Sequence, residues 1–312
     1  MTDEKKEALR MKFDPHTIGH LGANLYATLP PILAELVANS YDANATEVTI
    51  YLNDTSEEKT ITVEDNGDGM TRKEVNEDFL MIGRNRREDG STAKRRPIGK
   101  KGVGKLSFFG IAGEFVVETR KDNELTGFAM NHSEILEETE IGDYSPKELS
   151  EKEFSLKEGN GTRISLNQLK RKTNFDADGL ARALCKYFIF DSDFQVFIKR
   201  NEKPPIEVNN DLRLDVLNVE FSWKIPEDIK EQELQDYFLN NGISGVIVTS
   251  TASVPPSTQL RGITLFSRTK LVNKPEAFGN AASNYYFSYQ SGILNVDFVD
   301  NFSEDVISTN RQ

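Results

Sequence analysis

The sequence predicts an α/β chain, a first domain with a mixed sheet covered by helices followed by a second α/β domain, and three observations lead there. An amphipathic helical stretch around Leu33 to Asp42 precedes a short run rich in β-branched residues, Thr60-Ile-Thr-Val63. Farther along, Phe194–Ile198, Leu217–Phe221, Gly245–Thr249, Gly262–Phe266 and Gly292–Phe298 read as strands, interleaved with helical stretches such as Glu227 to Leu239. Between them, Arg171-Lys-Thr-Asn-Phe-Asp-Ala-Asp-Gly179 reads as a linker ending in a helix cap. The domains are therefore expected at 1–170 and 171–312, and 312 residues with 37% hydrophobic content suffice for two cores.

The first helix carries chemistry as well as packing. Spacings of four and seven residues put Glu35, Asn39 and Asp42 on one face, while Leu33, Leu36 and Val37 point into a core. A carboxylate, an amide and a second carboxylate in one line suit magnesium coordination by an oxygen ligand and activation of a water by a general base. An ordinary solvated face would also take these acids, but it gives no reason for Asn and Asp inside a helix between apolar neighbours.

After the strand comes Asp65-Asn-Gly67-Asp-Gly69, by composition a turn. A calcium loop fails here, because its first ligand would be Glu64 and its twelfth position falls on Val75. Gly99-Lys-Lys-Gly102-Val103-Gly104-Lys105 nearly matches a Walker phosphate loop, yet Leu106 stands where the magnesium-binding hydroxyl belongs. The preceding Lys94-Arg-Arg-Pro-Ile98 cannot be the buried strand that a Walker or dinucleotide motif requires. What remains is a glycine-rich segment entering a helix at Val103 to Phe109, whose free amides can meet phosphate oxygens. A hydrophilic insertion, residues 123–159, separates it from Gly159-Asn-Gly161-Thr162-Arg-Ile-Ser165. Past the linker, Leu180, Leu184 and Phe188 recur at helical spacing.

Composition limits the function. A net charge of −12, from 38 basic and 50 acidic residues, argues against a general nucleic-acid-binding surface. The charge is uneven, since Arg84 to Lys105 holds nine basic residues against Glu88 and Asp89. That run is either a solvated loop or a contact for nucleotide phosphates, and a DNA contact stays open. No apolar run approaches the roughly 18 residues needed to span a bilayer, and the N-terminus lacks an apolar signal core, which predicts an intracellular protein. The single cysteine, Cys185, forms no internal disulfide and lies in an apolar helical context that predicts burial.

In this order, the motifs at 35–42, 65–69, 99–104 and 159–165 resemble the GHKL superfamily of ATPases, which includes gyrase-type topoisomerase subunits, MutL and MORC proteins, ninety-kilodalton heat-shock chaperones and histidine kinases. The resemblance implies a Bergerat-type domain with ATP and Mg2+ as ligands. Glu35 matches the general base that activates the attacking water, and Asn39 the magnesium ligand, with Asp42 beside them. Asp65 matches the carboxylate that accepts the adenine amino hydrogen, and Gly67, Gly69 and Met70 line the same pocket. Gly99, Gly102, Val103 and Gly104 belong to the phosphate lid; Lys105 follows them as a lysine does in MORC-like members. Thr162 binds adenine directly or through a water.

The second domain resembles the transducer of gyrase-type, MutL-like and MORC-like proteins, which returns a basic residue to the γ-phosphate. The strand Leu294–Val299 and the loop from Ser303 to Gln312 make Arg311 the expected sensor, with Arg268 and Lys270 as runners-up. The chain stops directly after this loop, which predicts a fragment of a longer protein. The implied function is an ATP-gated clamp that pairs two copies on ATP binding, closest to DNA-engaging MORC-like or MutL-like proteins. A chaperone acting on protein clients is the alternative. A histidine kinase fits less well, because Pro15 and Gly19 interrupt any long helix around His16 and His20 and the third histidine is His132.

Overall fold

The computed structural model describes residues 28–54, 58–81, 108–137, 145–156, 158–188, 190, 193–215, 217–267, 270–277 and 285–301. They form two compact units. The first runs to Leu184 and takes in Asp191–Val208; the second comprises Cys185–Phe190 and the residues from Asn209 onward.

The first unit is built on an eight-stranded sheet and helices that pack with it. Helix α1 spans Leu29–Asp42, with Pro30 and Pro31 near its start, where a missing N–H leaves no helical bond unmade. It buries Ile32, Leu33, Leu36 and Val37. Strands β1 (Glu47–Asn53) and β2 (Thr60–Asp65) pair antiparallel. Strands β3 (Ala112–Lys121) and β4 (Glu124–Asn131) form a hairpin closed by Asp122 and Asn123, both at positive φ as a tight hairpin turn demands.

The short helix α2 (His132–Glu137) and strand β5 (Lys147–Glu148) follow. The expected hydrophilic insertion at 123–159 is thus partly core: β4 pairs along its length with β3 and buries Phe128 and Met130. Its apolar run Phe128-Ala-Met130 is short and the rest of the segment is dense in Glu and Lys, so an average over the segment conceals the strand.

Strand β6 (Gly161–Leu169), helix α3 (Ala177–Leu184) and strands β7 (Gln195–Arg200) and β8 (Ile206–Val208) complete the unit. The order is β5-β4-β3-β6-β2-β1-β7-β8, and only β1 and β7 pair in parallel. That parallel pairing extends the first sheet past residue 170 to Val208. The α3 cap is Asp176, whose Oδ1 accepts from Gly179 N–H at 2.9 Å.

Register alignment gives continuous apolar rows across the sheet. Ile198, Ile50, Val63, Ile164, Val117 and Phe128 form one row; Leu52, Ile61, Leu166, Phe115 and Met130 form the next. All are buried, and each such side chain contributes roughly 1.5–3 kcal/mol of transfer free energy.

The second unit contains a short helix α4 (Asp211–Leu214), strand β9 (Val219–Ile225), helix α5 (Gln232–Asn240) and strands β10 (Ser244–Ser250), β11 (Gly262–Ser267), β12 (Lys270–Leu271) and β13 (Gln290–Asn295). The five strands are ordered β12-β11-β13-β10-β9, with β11 and β13 parallel. Leu217, Val248, Val254 and Leu260 form a core, with Leu214 and Val246 packed against it. Arg213 is buried over the Phe266 ring at 4.5 Å and donates to the carbonyls of Cys185 and Phe188. Cys185 is buried. No helix among the described residues is long and apolar enough to cross a membrane.

Candidate functional site

One row of the first sheet breaks the apolar pattern. Next to the row through Val63, the register aligns Asp65 of β2 with Thr162 of β6, and Thr162 with Thr119 of β3, which in turn faces Thr126 of β4. The three threonines are buried. Thr119 Oγ1 accepts from Met70 N–H at 2.9 Å and lies 3.2 Å from both Thr162 Oγ1 and the Gly161 carbonyl. Because its lone pair takes the Met70 hydrogen, its own proton points toward Thr162 or Gly161.

Asp65 stands at the end of this row, under α1. Its Oδ1 accepts from Gly67 N–H at 2.9 Å and Thr162 N–H at 3.3 Å, and its Oδ2 from Ser40 Oγ at 2.9 Å. A carboxylate offers about four lone-pair positions, so roughly one remains for a ligand N–H. Loss of water by burial is the largest influence on this carboxyl; with the nearby Glu64 charge it outweighs the three hydrogen bonds and pushes the pKa up to about 6.

The loop after Asp65 is fastened to the end of α1 and the start of β1. Asp68 N–H donates to the Ala43 carbonyl at 2.7 Å and Asn44 Nδ2 to Asp68 Oδ2 at 2.6 Å. Asn66 Oδ1 accepts the N–H groups of Thr46 and Glu47, both at 2.9 Å. Close approach of backbone on both sides of this loop explains the two glycines. A Cβ on Gly67 would stand 2.6 Å from the Ala43 carbonyl oxygen; on Gly69, at φ +67°, it would stand 1.9 Å from that of Arg120. Both glycines are thus required by close packing against protein backbone.

On α1, Glu35, Asn39 and Asp42 are all half-buried, the stripe expected beside the buried apolar face. Ser40, one residue past Asn39, reaches Asp65 from the last turn. The opposite face of the sheet carries an ion-pair row instead: Arg163 donates to Glu64 and lies 3.7 Å from Glu118, whose Oε2 accepts the N–H groups of Ser155 and Leu156.

The structure therefore brings Asp65, Gly67, Gly69, Met70 and Thr162 together, with α1 alongside. Gly99, Gly102, Val103, Gly104, Lys105, Arg268 and Arg311 lie outside the described residues, and Lys270 is placed only as backbone in β12. Ser40, Thr119 and Thr126 were missed. A serine beside Asn39 is a weak signal, and the threonines matter only through cross-strand register, which a single sequence does not display.

The profile of the family described as "Histidine kinase-, DNA gyrase B-, and HSP90-like ATPase" matches residues 27–165, the stretch that holds this site. Residues 27–165 belong to the GHKL-type ATPase family. The GHKL domain and the second α/β unit together are 30% identical, over 97% of the chain, to a Herpetosiphon aurantiacus protein named as the type II restriction enzyme HgiDII, of which they cover 51%. The chaperone protein HtpG of Nitrosococcus oceani is 28% identical over 69% of the chain and 36% of its own length. HtpG of Coxiella burnetii is 26% identical over 74% and 40%. The chain thus spans about half or less of the curated relatives it matches.

Proposed function

We propose that this chain binds ATP with magnesium and hydrolyses it, and that ATP binding pairs two copies into a clamp. The observation that carries the nucleotide reading is the unspent acceptor position on Asp65, set at the end of a buried threonine row and held by three donors. Such a carboxylate fits the adenine amino group, whereas guanine presents an oxygen there and would leave the acceptor unpaired. Thr162 serves the adjoining edge, and Met70 and the glycine loop shape the pocket around it.

Glu35 orients a water and takes its proton as the water attacks the γ-phosphate. Asn39 supplies an amide oxygen to the magnesium ion, with Asp42 in line beside it. The metal, when bound, neutralises phosphate charge, and a site with one or two protein ligands completed by phosphate oxygens is ordinary for magnesium. The lid residues Gly99, Gly102, Val103, Gly104 and Lys105 close over the phosphates, and Arg311, ahead of Arg268 and Lys270, senses the γ-phosphate. A cation that meets only ATP gives it a differential affinity for the closed form, which ADP lacks.

DNA engagement is the favoured context, because the relative covering nearly the whole chain bears the name of a restriction enzyme. Chaperone activity on protein clients is the second reading, favoured by the HtpG relatives. Sedimentation of the parent and Arg311→Ala, each with a non-hydrolysable ATP analogue and with ADP, tests the clamp. The parent is expected to dimerise with the analogue alone and the variant to do so weakly; equal mass in all four samples would refute it. Retention on closed circular but not linear DNA separates the two contexts.

A further inference from the structure

The five-stranded sheet has two unlike faces. One packs on Leu217, Val248, Val254 and Leu260. The other ends at the edge strand β9, where Phe221 and Trp223 stand outward at 56% and 40% exposure. The register continues this face inward from Trp223 to Ile247 and Ile263, both half-buried, on either side of Gly292. The Phe221 and Trp223 rings lie 6.0 Å apart. Six of the seven β9 residues are exposed, and the following helix α5 buries none of its nine residues, with Leu234, Tyr237 and Leu239 among the most exposed apolar side chains. An exposed apolar edge strand is a template for another strand.

Among the described residues, the turn beyond Lys224 closes one end of the edge, and toward the other end the pairing register shifts between Thr249 and Ser250. Lys224 exchanges both backbone bonds with the turn beyond it, its N–H donating to Asp228 Oδ2 at 2.6 Å and its carbonyl accepting from Asp228 N–H at 2.8 Å. Lys224 thus faces the open side of β9, and by the two-residue period so does Ser222; beyond Phe221 a bulge at Glu220 breaks that period. The rim is acidic: between Val219 and Asp236 stand Glu220, Glu227, Asp228, Glu231, Glu233 and Asp236 against Lys224 and Lys230, all exposed.

We propose that β9 is a docking edge for an extended, basic and apolar segment of a partner protein, which adds as a sixth strand. Backbone bonds form at Ser222, apolar side chains cover Phe221 and Trp223, and alternating lysine or arginine side chains meet the acidic rim and the aromatic faces. Nucleic acid is repelled by the same rim. A second copy would set one acidic rim against another. The proposal does not depend on ATP, and its test is run without nucleotide.

Trp223 is the only tryptophan of the chain, so its fluorescence reads this edge directly. The probes are a seven-residue peptide alternating valine and phenylalanine with lysine, its counterpart with glutamate for lysine, and the lysine peptide with proline at its centre. The lysine peptide should shift Trp223 emission to the blue and protect it from acrylamide. It should bind about tenfold or more tightly than the other two, and added salt should weaken it. Phe221→Ser, at an exposed site that leaves the circular dichroism unchanged, should cost about tenfold. No shift up to about 1 mM peptide, or equal binding of the lysine and glutamate peptides, would overturn the proposal. So would a parent that sediments as a dimer without peptide and becomes monomeric on Phe221→Ser, because the occupant would then be a second copy.

Discussion

Replacing Asp65 with Asn should make the nucleotide-free protein more stable and a poorer binder of ATP. The carboxyl is moved by burial, against its three hydrogen bonds, from an ordinary 3.8 to about 6. At about 1.4 kcal/mol per tenfold change in proton affinity, ionisation at neutral pH costs the fold up to roughly 3 kcal/mol. The folded state binds the proton more tightly than the unfolded chain. The cost is therefore fully present above pH 6, shrinks as pH falls through 6, and is gone below about 3.8. Asn imitates the protonated acid: its oxygen can keep accepting from Gly67 and Thr162, and its amide can donate to Ser40. Thermal denaturation should show Asp65→Asn melting roughly 5–10 °C above the parent at pH 7, with the gap closing toward pH 4. Calorimetry should show weaker ATP binding by roughly 1–3 kcal/mol, because the adenine amino group then meets another donor. Parental ATP affinity should itself fall below about pH 6. A variant less stable than the parent at pH 7, or a gap that ignores pH, would refute the reasoning that burial governs this carboxyl.

Glu35→Gln should retain ATP binding by calorimetry and lose roughly 100- to 10,000-fold in hydrolysis rate in a phosphate-release assay. Ser40→Ala removes one of the bonds that hold down the Asp65 pKa, so the pH at which ATP binding is half lost should rise in a pH series of binding titrations. At Asp54, burial works to raise the pKa, but bonds from Phe175 N–H, Asn201 and Arg200 hold it at about 2. That depressed acid stabilises the fold above about 3.8 and ceases to as pH falls through about 2; Asp54→Ala should lower the melting temperature at pH 7, and the difference should vanish near pH 2.

The features legible in the sequence are those that depend on local pattern. The period of α1, the alternation of β2 and the turn residues of Asp65–Gly69 all act within a few positions, and each element lies where its pattern places it. The strand β4 was hidden because its buried Phe128 and Met130 stand at the head of a segment whose remainder is dense in Glu and Lys. The continuation of the first sheet into β7 was hidden for a different reason: a parallel pairing with β1 joins residues about 150 positions apart, and nothing local announces it. Thr119 and Thr126 belong to the same class. In the sequence they are ordinary β-branched strand residues, and only the register of β3 with β6 and β4 puts them in line with Thr162.

The position of the motifs follows from what a buried carboxylate needs. Inside a sheet, backbone N–H groups are spent on neighbouring strands and cannot serve a side chain. At the end of β2 they can. Gly67 donates its N–H from the loop just past the strand and Thr162 its N–H from the second residue of β6, while Ser40 adds its side-chain hydroxyl from the last turn of α1. Three elements from distant parts of the chain must therefore end at one level, so the sequence between them can drift while the residues at those ends cannot. Apolar rows behind this level hold the ends in place, and the glycines let backbone meet backbone where they converge. A short motif at each of three element ends, separated by unremarkable sequence, is the pattern such a site has to leave in the chain.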